Sequence, residues 1–227
     1  HLIPVAIDQD PLHISVIVDA MDQAIDGHLS SKALVEMALY DIKGKALHVP
    51  VCVLLGGCRM DRIPIIGWIG RGETEQNVEE AIDLVAQGYA TLKVKIGTGI
   101  SKDIERIRAI RDAVGNGISL RVDANEAYSV HEAIRLIKSI EKYGIVYCEQ
   151  PVLRSDLDGL SQVRKATHLP INSDEGIVVP QDIIRYVNKN ATDHIKVKVM
   201  KNGGISKTMS MISLAEAFGI RCVLGHG

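Results

Sequence analysis

No two cysteines in the 227 residues are spaced as C-x-x-C. The four that are present, Cys52, Cys58, Cys148 and Cys222, therefore do not read as a zinc ribbon or a thioredoxin-type redox pair. A chain of this size builds its core without bridges, so four reduced, mostly buried thiols in a cytoplasmic protein are expected. An excess of one charge is also missing. Lys and Arg number 26 against 28 Asp and Glu, a net charge of −2 that offers no basic face to nucleic acid or to an anionic membrane. The longest apolar runs, such as Val49 to Leu55, are far too short to cross a bilayer. The opening HLIPVAIDQD has neither the basic segment nor the apolar core of a secretory leader, so none is expected there. Low-complexity linkers are absent too. With 46% hydrophobic residues there is enough apolar surface to fold, which excludes intrinsic disorder.

What is present is alternation. Residues 14–25 and 29–44 read as helices, the second with Ala33, Leu34, Met37, Ala38 and Ile42 on one face and Gly44 as its stop. From residue 63 short apolar runs alternate with amphipathic stretches. Strands are expected at Ile63–Ile69, Thr91–Ile96, Ile118–Val122, Ile145–Cys148, Leu169–Asn172, His194–Met200 and Arg221–Leu224. Helices lie between them, one opened by a Ser129/Glu132 capping box. Such alternation means parallel strands with helical crossovers, and seven units in series favour an α/β fold of the (β/α)8 TIM-like barrel type, incomplete because an eighth strand is not in the chain. The expected domains are 1–60, a helical remainder of a capping domain, and 61–227, barrel strands one to seven. The start on His1 and the missing strand suggest a chain truncated at both ends.

Parallel strands covered on both faces should be almost wholly apolar. The exceptions here are Lys93 and Lys95 in TLKVKIG, Asp123 in SLRVDAN, Glu149 in IVYCEQP, Asp174 after LPINS, Lys196 and Lys198 in HIKVKVM, and His226 in CVLGHG. They recur about every 24 to 30 residues, one βα unit apart, at or near the C-terminal strand ends where barrel active sites are built. The period of 2 puts Lys93 and Lys95 on one face, and likewise Lys196 and Lys198. A single Asp before a helix is ordinarily an N-cap, and a single strand-end Lys is ordinarily solvated. Their joint occurrence in order on consecutive strands is what argues for chemistry. Three converging carboxylates, Asp123, Glu149 and Asp174, need a positive centre, and an all-oxygen donor set selects Mg²⁺, with Mn²⁺ as the alternative, over zinc. Gly203-Gly204 reads either as a phosphate nest at a helix start or as a tight turn. His226 reads as a packed terminal residue as readily as a functional one.

The set Lys93-Val94-Lys95, Asp123-Ala124-Asn125, Glu149-Gln150-Pro151, Asp174-Glu175 and Lys198 before Gly203-Gly204 resembles the enolase superfamily, in its muconate-lactonizing (muconate cycloisomerase) branch within the mandelate racemase/muconate lactonizing enzymes. Residues 33–57 resemble that family's helical entry into the barrel. The resemblance implies an isomerase or lyase that removes a proton α to a carboxylate and stabilises the enediolate on Mg²⁺, as a cycloisomerase, racemase/epimerase or dehydratase. It implies Asp123, Glu149 and Asp174 as metal ligands, Lys95 and Lys198 as acid/base groups on opposite faces of the substrate, and Lys93 as the lysine that steadies the second lysine and the substrate carboxylate. Asn125, Lys196 and His226 are candidates for substrate or supporting contacts. Lys196 departs from the branch, which more often has a small neutral polar residue such as Asn there. Lys198 stands where the mandelate-racemase branch has Asp, which favours the lysine branch. The implied partner is a small carboxylate, with a homo-oligomer in the full-length form and neither nucleic acid nor membrane. Two other readings stand beside this one: a Schiff-base aldolase-type barrel using Lys198, and a non-catalytic fragment.

Overall fold

The structure, a computed structural model, describes residues 1–58 and 60–226. Arg59 and Gly227, which fall inside the expected domains 1–60 and 61–227, lie outside the described residues. Contacts divide the chain into two compact units: His1–Ile63 with Val197–Leu214 and the residues from Leu224 onward, and Pro64–Lys196 with Ala215–Val223.

The first unit opens with helices α1 (Ile3–Ala6), α2 (Ile14–Ala24), α3 (Leu29–Ala46) and α4 (Val51–Leu54), each packed on the next. Ile14, Ile17, Val18 and Met21 recur at helical spacing on α2 and form a small core with Leu39 of α3. The buried face of α3 differs from the expected one. Leu34 and Ile42 are 57% and 44% exposed, whereas Lys32 and Glu36 are buried. Apolar spacing fails here because both charged groups have internal partners. The Lys32 ammonium donates to Asp22 Oδ1 at 2.8 Å and to the Ile25 carbonyl at 2.7 Å. Glu36 accepts the Ser206 N–H on both oxygens, at 3.2 and 3.3 Å. Gly44 does not end α3, which runs two residues further. A second correction concerns the thiols. Cys52 and Cys58 form a disulfide, and Cys148 and Cys222 are free. Gly56 and Gly57, at φ +101° and +105°, turn the chain back so that the two cysteine Cα atoms lie 5.6 Å apart, within bridging range.

In the second unit strands and helices alternate: β1 (Gly67–Ile69), α5 (Thr74–Ala86), β2 (Thr91–Lys95), α6 (Ile100–Val114), β3 (Ser119–Asp123), α7 (Val130–Ile140), β4 (Ile145–Glu149), α8 (Leu157–Ala166), β5 (Ile171–Ser173), α9 (Pro180–Asn188), β6 (His194–Val197), α10 (Ile205–Ala217) and β7 (Arg221–Leu224), the last elements running on into the first unit's residues. The strands form one sheet in chain order, parallel from β1 through β6. This is the α/β (β/α)8 barrel class, with seven strands among the described residues. Helix α7 shows why the alternation forms. The Ser129/Glu132 capping box satisfies its first turn, and Ala133, Leu136, Ile137 and Ile140 bury one stripe. Strands β1 and β6 are three residues or more shorter than expected. Ile63 and Ile65 are 72% and 69% exposed and precede β1. Strand β6 stops at Val197 because the Lys198 N–H turns to the Asn202 side chain, at 2.7 Å.

Candidate active site

On β2, Leu92 and Val94 are buried on one face and leave Lys93 and Lys95 together on the other. In register, Lys93 faces Arg121 and Lys95 faces Asp123. Glu149 would not join that face by simple alternation. Leu120 pairs with Ile145 but Val122 pairs with Cys148, so β4 carries one extra residue over that interval. A one-residue slip exchanges the faces of everything beyond it. Tyr147 consequently meets Arg121, whose guanidinium carbon lies 5.1 Å from the ring centroid, and Glu149 comes beside Asp123.

The charged groups then interlock. The Lys93 ammonium donates to Asp123 Oδ2 at 2.9 Å and to Glu149 Oε1 at 3.3 Å, so one cation joins both carboxylates. Lys95 donates to Asp123 Oδ2 at 2.7 Å and to Asn125 Oδ1. Lys196, on β6, donates to Glu149 Oε1 at 3.0 Å and Oε2 at 2.9 Å. Asp123 and Glu149 are 1% and 0% exposed, so desolvation is large and the ammonium groups are its compensation. Burial alone would raise the Asp123 carboxyl, but Lys93 and Lys95 outweigh it and bring it down to about 2. Lys93 is held above the usual lysine range, the charges of Glu149 and Asp123 prevailing over burial. Burial, aided by Asp123, pushes Glu149 up, and burial pulls Lys196 down.

Several groups support these, and the sequence alone assigns no role to Asn172, Glu175, Gln150, Asp103 or Arg106. Asn172, the register partner of Glu149, is fully buried and donates to Glu149 Oε2 at 3.1 Å. Asn125 passes its amide to Glu175 Oε1 at 2.8 Å, so Glu175 orients the residue that receives Lys95. Gln150 Oε1 accepts the Asp174 N–H at 3.0 Å and fixes the backbone of the third carboxylate. Asp103, buried at the start of α6, accepts the N–H groups of Gly97, Thr98 and Gly99 and the Tyr128 hydroxyl. Arg106 joins it and donates to the Lys95 carbonyl at 3.0 Å, which ties down the loop carrying that lysine's strand end. Charged residues at helical spacing early in α6 read as solvated from sequence, and nothing local reveals their burial.

Asp174 is 1% exposed in the segment after β5, and its charge acts on Glu126 and Arg154. Lys198 lies one residue beyond β6 and belongs to the first unit, as does His226, which is exposed two residues past β7. Gly203-Gly204 is not an open nest. The Glu36 carboxylate fills it, so closely that a Cβ on Gly204 would strike that side chain.

Among the described residues no three of His, Cys, Asp and Glu are grouped as a metal cage. The donor chemistry nevertheless fits a hard divalent cation. Asp123 and Glu149 are adjacent, buried and all-oxygen, and a single cation, the Lys93 ammonium, already bridges them.

Comparison with known proteins supplies the family. Residues 76–227 match the enolase C-terminal domain-like model, and residues 1–56 match the mandelate racemase/muconate lactonizing enzyme N-terminal domain. The chain is 35% identical to an N-succinyl-L-Arg/Lys racemase of Bacillus cereus over 99% of its own length and 61% of the relative's. It is 32% identical to a chloromuconate cycloisomerase of Delftia acidovorans, over 97% of the chain and 60% of the relative. A crystal structure of a dipeptide epimerase from Cytophaga hutchinsonii, complexed with Mg and the dipeptide D-Ala-L-Val, superposes with a TM-score of 0.94 at 31% identity, covering 100% of this chain and 63% of that one. The chain thus spans about three-fifths of the length of these relatives. Two domain matches that together take in most of the chain, with relatives above 30% identity along nearly all of it, establish that it belongs to the mandelate racemase/muconate lactonizing enzyme family of the enolase superfamily.

Proposed function

We propose that the chain is the catalytic portion of a Mg²⁺-dependent isomerase or lyase that removes a proton α to a carboxylate, with racemisation or epimerisation of a small N-acylated or dipeptide-like carboxylate as its reaction. The observation that carries this is the interlocked set Lys93–Lys95–Asp123–Glu149 on three consecutive strand ends. The names of the relatives, a racemase and a dipeptide epimerase among them, support the finer reading over cycloisomerisation.

Asp123, Glu149 and Asp174 would hold the ion. Bound there, Mg²⁺ supplies the positive charge that makes a carboxylate's α-proton acidic enough to remove. The chain's own groups do the rest. Lys95, steadied by Asn125, takes or returns the proton at its Nζ on one face of the substrate. Lys198 does so on the other. Lys93 places its ammonium against the substrate carboxylate while retaining Asp123. We also place the protein in the cytoplasm and expect the full-length form to be a homo-oligomer. Among the described residues no helix is long and apolar enough to cross a membrane.

The test is solvent-deuterium exchange at the α-carbon, by NMR or mass spectrometry, across a panel of dipeptides and N-acyl amino acids with Mg²⁺ present. Incorporation into at least one member, lost on adding a chelator, is expected. Exchange that ignores the chelator, or none across the panel in a chain of the relatives' full length, would reject the reading.

A further inference from the structure

An ionised carboxylate has about four acceptor positions. Those of Glu149 are all taken. Oε1 receives Lys93 at 3.3 Å and Lys196 at 3.0 Å, and Oε2 receives Asn172 at 3.1 Å and Lys196 at 2.9 Å. Asp123 is less occupied: Oδ2 receives Lys93 and Lys95, while Oδ1 receives only the Asn125 N–H among the described residues, at 3.1 Å. The two lysines on Glu149 are not equivalent. Lys93 also binds Asp123, so it retains a carboxylate if it leaves Glu149. Lys196 supplies two of the four bonds and, with its residue 5% exposed, cannot simply swing into water.

We propose that Lys196 is a resident counter-cation of Glu149 that competes with the divalent ion for this carboxylate and so weakens metal binding. The inference rests on the metal assignment made under the proposed function. Two effects act in the same direction. The ammonium covers both oxygens, so an ion gains Glu149 only by displacing it. It also adds a third positive charge to a cluster in which Lys93 and Lys95 already face Asp123 and Glu149. A neutral side chain at 196 removes both obstacles and leaves Glu149 with Lys93 and Asn172.

Calorimetric titration of the wild type and of Lys196→Asn and Lys196→Gln with MgCl₂, without substrate, tests this. The neutral variants should bind Mg²⁺ at least about tenfold more tightly, and their melting temperatures should rise more on adding it. Equal or weaker binding by the variants overturns the proposal while leaving the metal assignment intact. No binding by any of the three proteins overturns both. Should the variants not fold, wild-type crystals grown with and without Mg²⁺ decide it. Lys196 Nζ should lose at least one of its two Glu149 bonds when the ion is bound, and retention of both would overturn the proposal.

Discussion

Lys95 is both the register partner of Asp123 and its ion-pair partner, with Nζ 2.7 Å from Oδ2. A sheet pairing thus delivers a lysine to the carboxylate of the neighbouring strand without any loop intervening. Its function is tested by Lys95→Ala, paired with Lys198→Ala. In a chain of full length each should lower turnover by orders of magnitude with Mg²⁺ binding retained. If the enzyme is a racemase or epimerase, each variant should still exchange the α-proton of one substrate stereoisomer. Near wild-type activity in both would remove these lysines from the mechanism and make Lys196 the next candidate.

Acid should weaken the first unit through Asp22. Burial works to raise this carboxyl, but Lys207 and Lys32 outweigh it and lower it. A carboxyl depressed on folding adds stability above its unfolded value, near the ordinary 3.8, and that contribution is lost as pH falls through the folded value. Because Asp22 is partly exposed, solvent screening limits the effect to about 1 kcal/mol. Melting temperatures of wild type and Asp22→Asn should therefore differ at pH 6 and converge toward pH 3. A constant difference across that range would refute the linkage.

Gly204 has φ +126°, and a Cβ there would meet the buried Glu36 carboxylate. Gly204→Ala should cost about 2–4 kcal/mol, from backbone strain and displacement of the group that accepts the Ser206 N–H. The urea midpoint gives the answer, and a loss under about 0.5 kcal/mol would show that the turn relaxes freely.

Alkylation counts the thiols. Unfolded without reductant, the protein should take label at Cys148 and Cys222 alone, and at Cys52 and Cys58 as well after reduction. Labelling of all four before reduction would restore the expectation of a fully reduced chain.

The sequence by itself determined the order of the sheet and the residues at its strand ends. Period-2 runs broken by Lys93, Lys95, Asp123 and Glu149 are local signals, and so is the Ser129/Glu132 box that opens α7. The tertiary structure decided which of these groups share a face and what each one touches. The extra residue in β4 that turns Glu149 toward Asp123 leaves no mark in composition, because Val146 and Tyr147 suit either face of a strand. Glu36 and Lys32 sit where a helical wheel shows solvent, since their partners Ser206 and Asp22 are distant in sequence or on another helix. The Cys52–Cys58 bridge depends on two glycines holding positive φ, a choice the backbone makes only within its folded surroundings. Lys196 is the same case at the site itself. Its sequence marks an anomaly, but only packing shows a buried ammonium lying across both oxygens of Glu149, where low polarity makes every charge answer to its nearest neighbour.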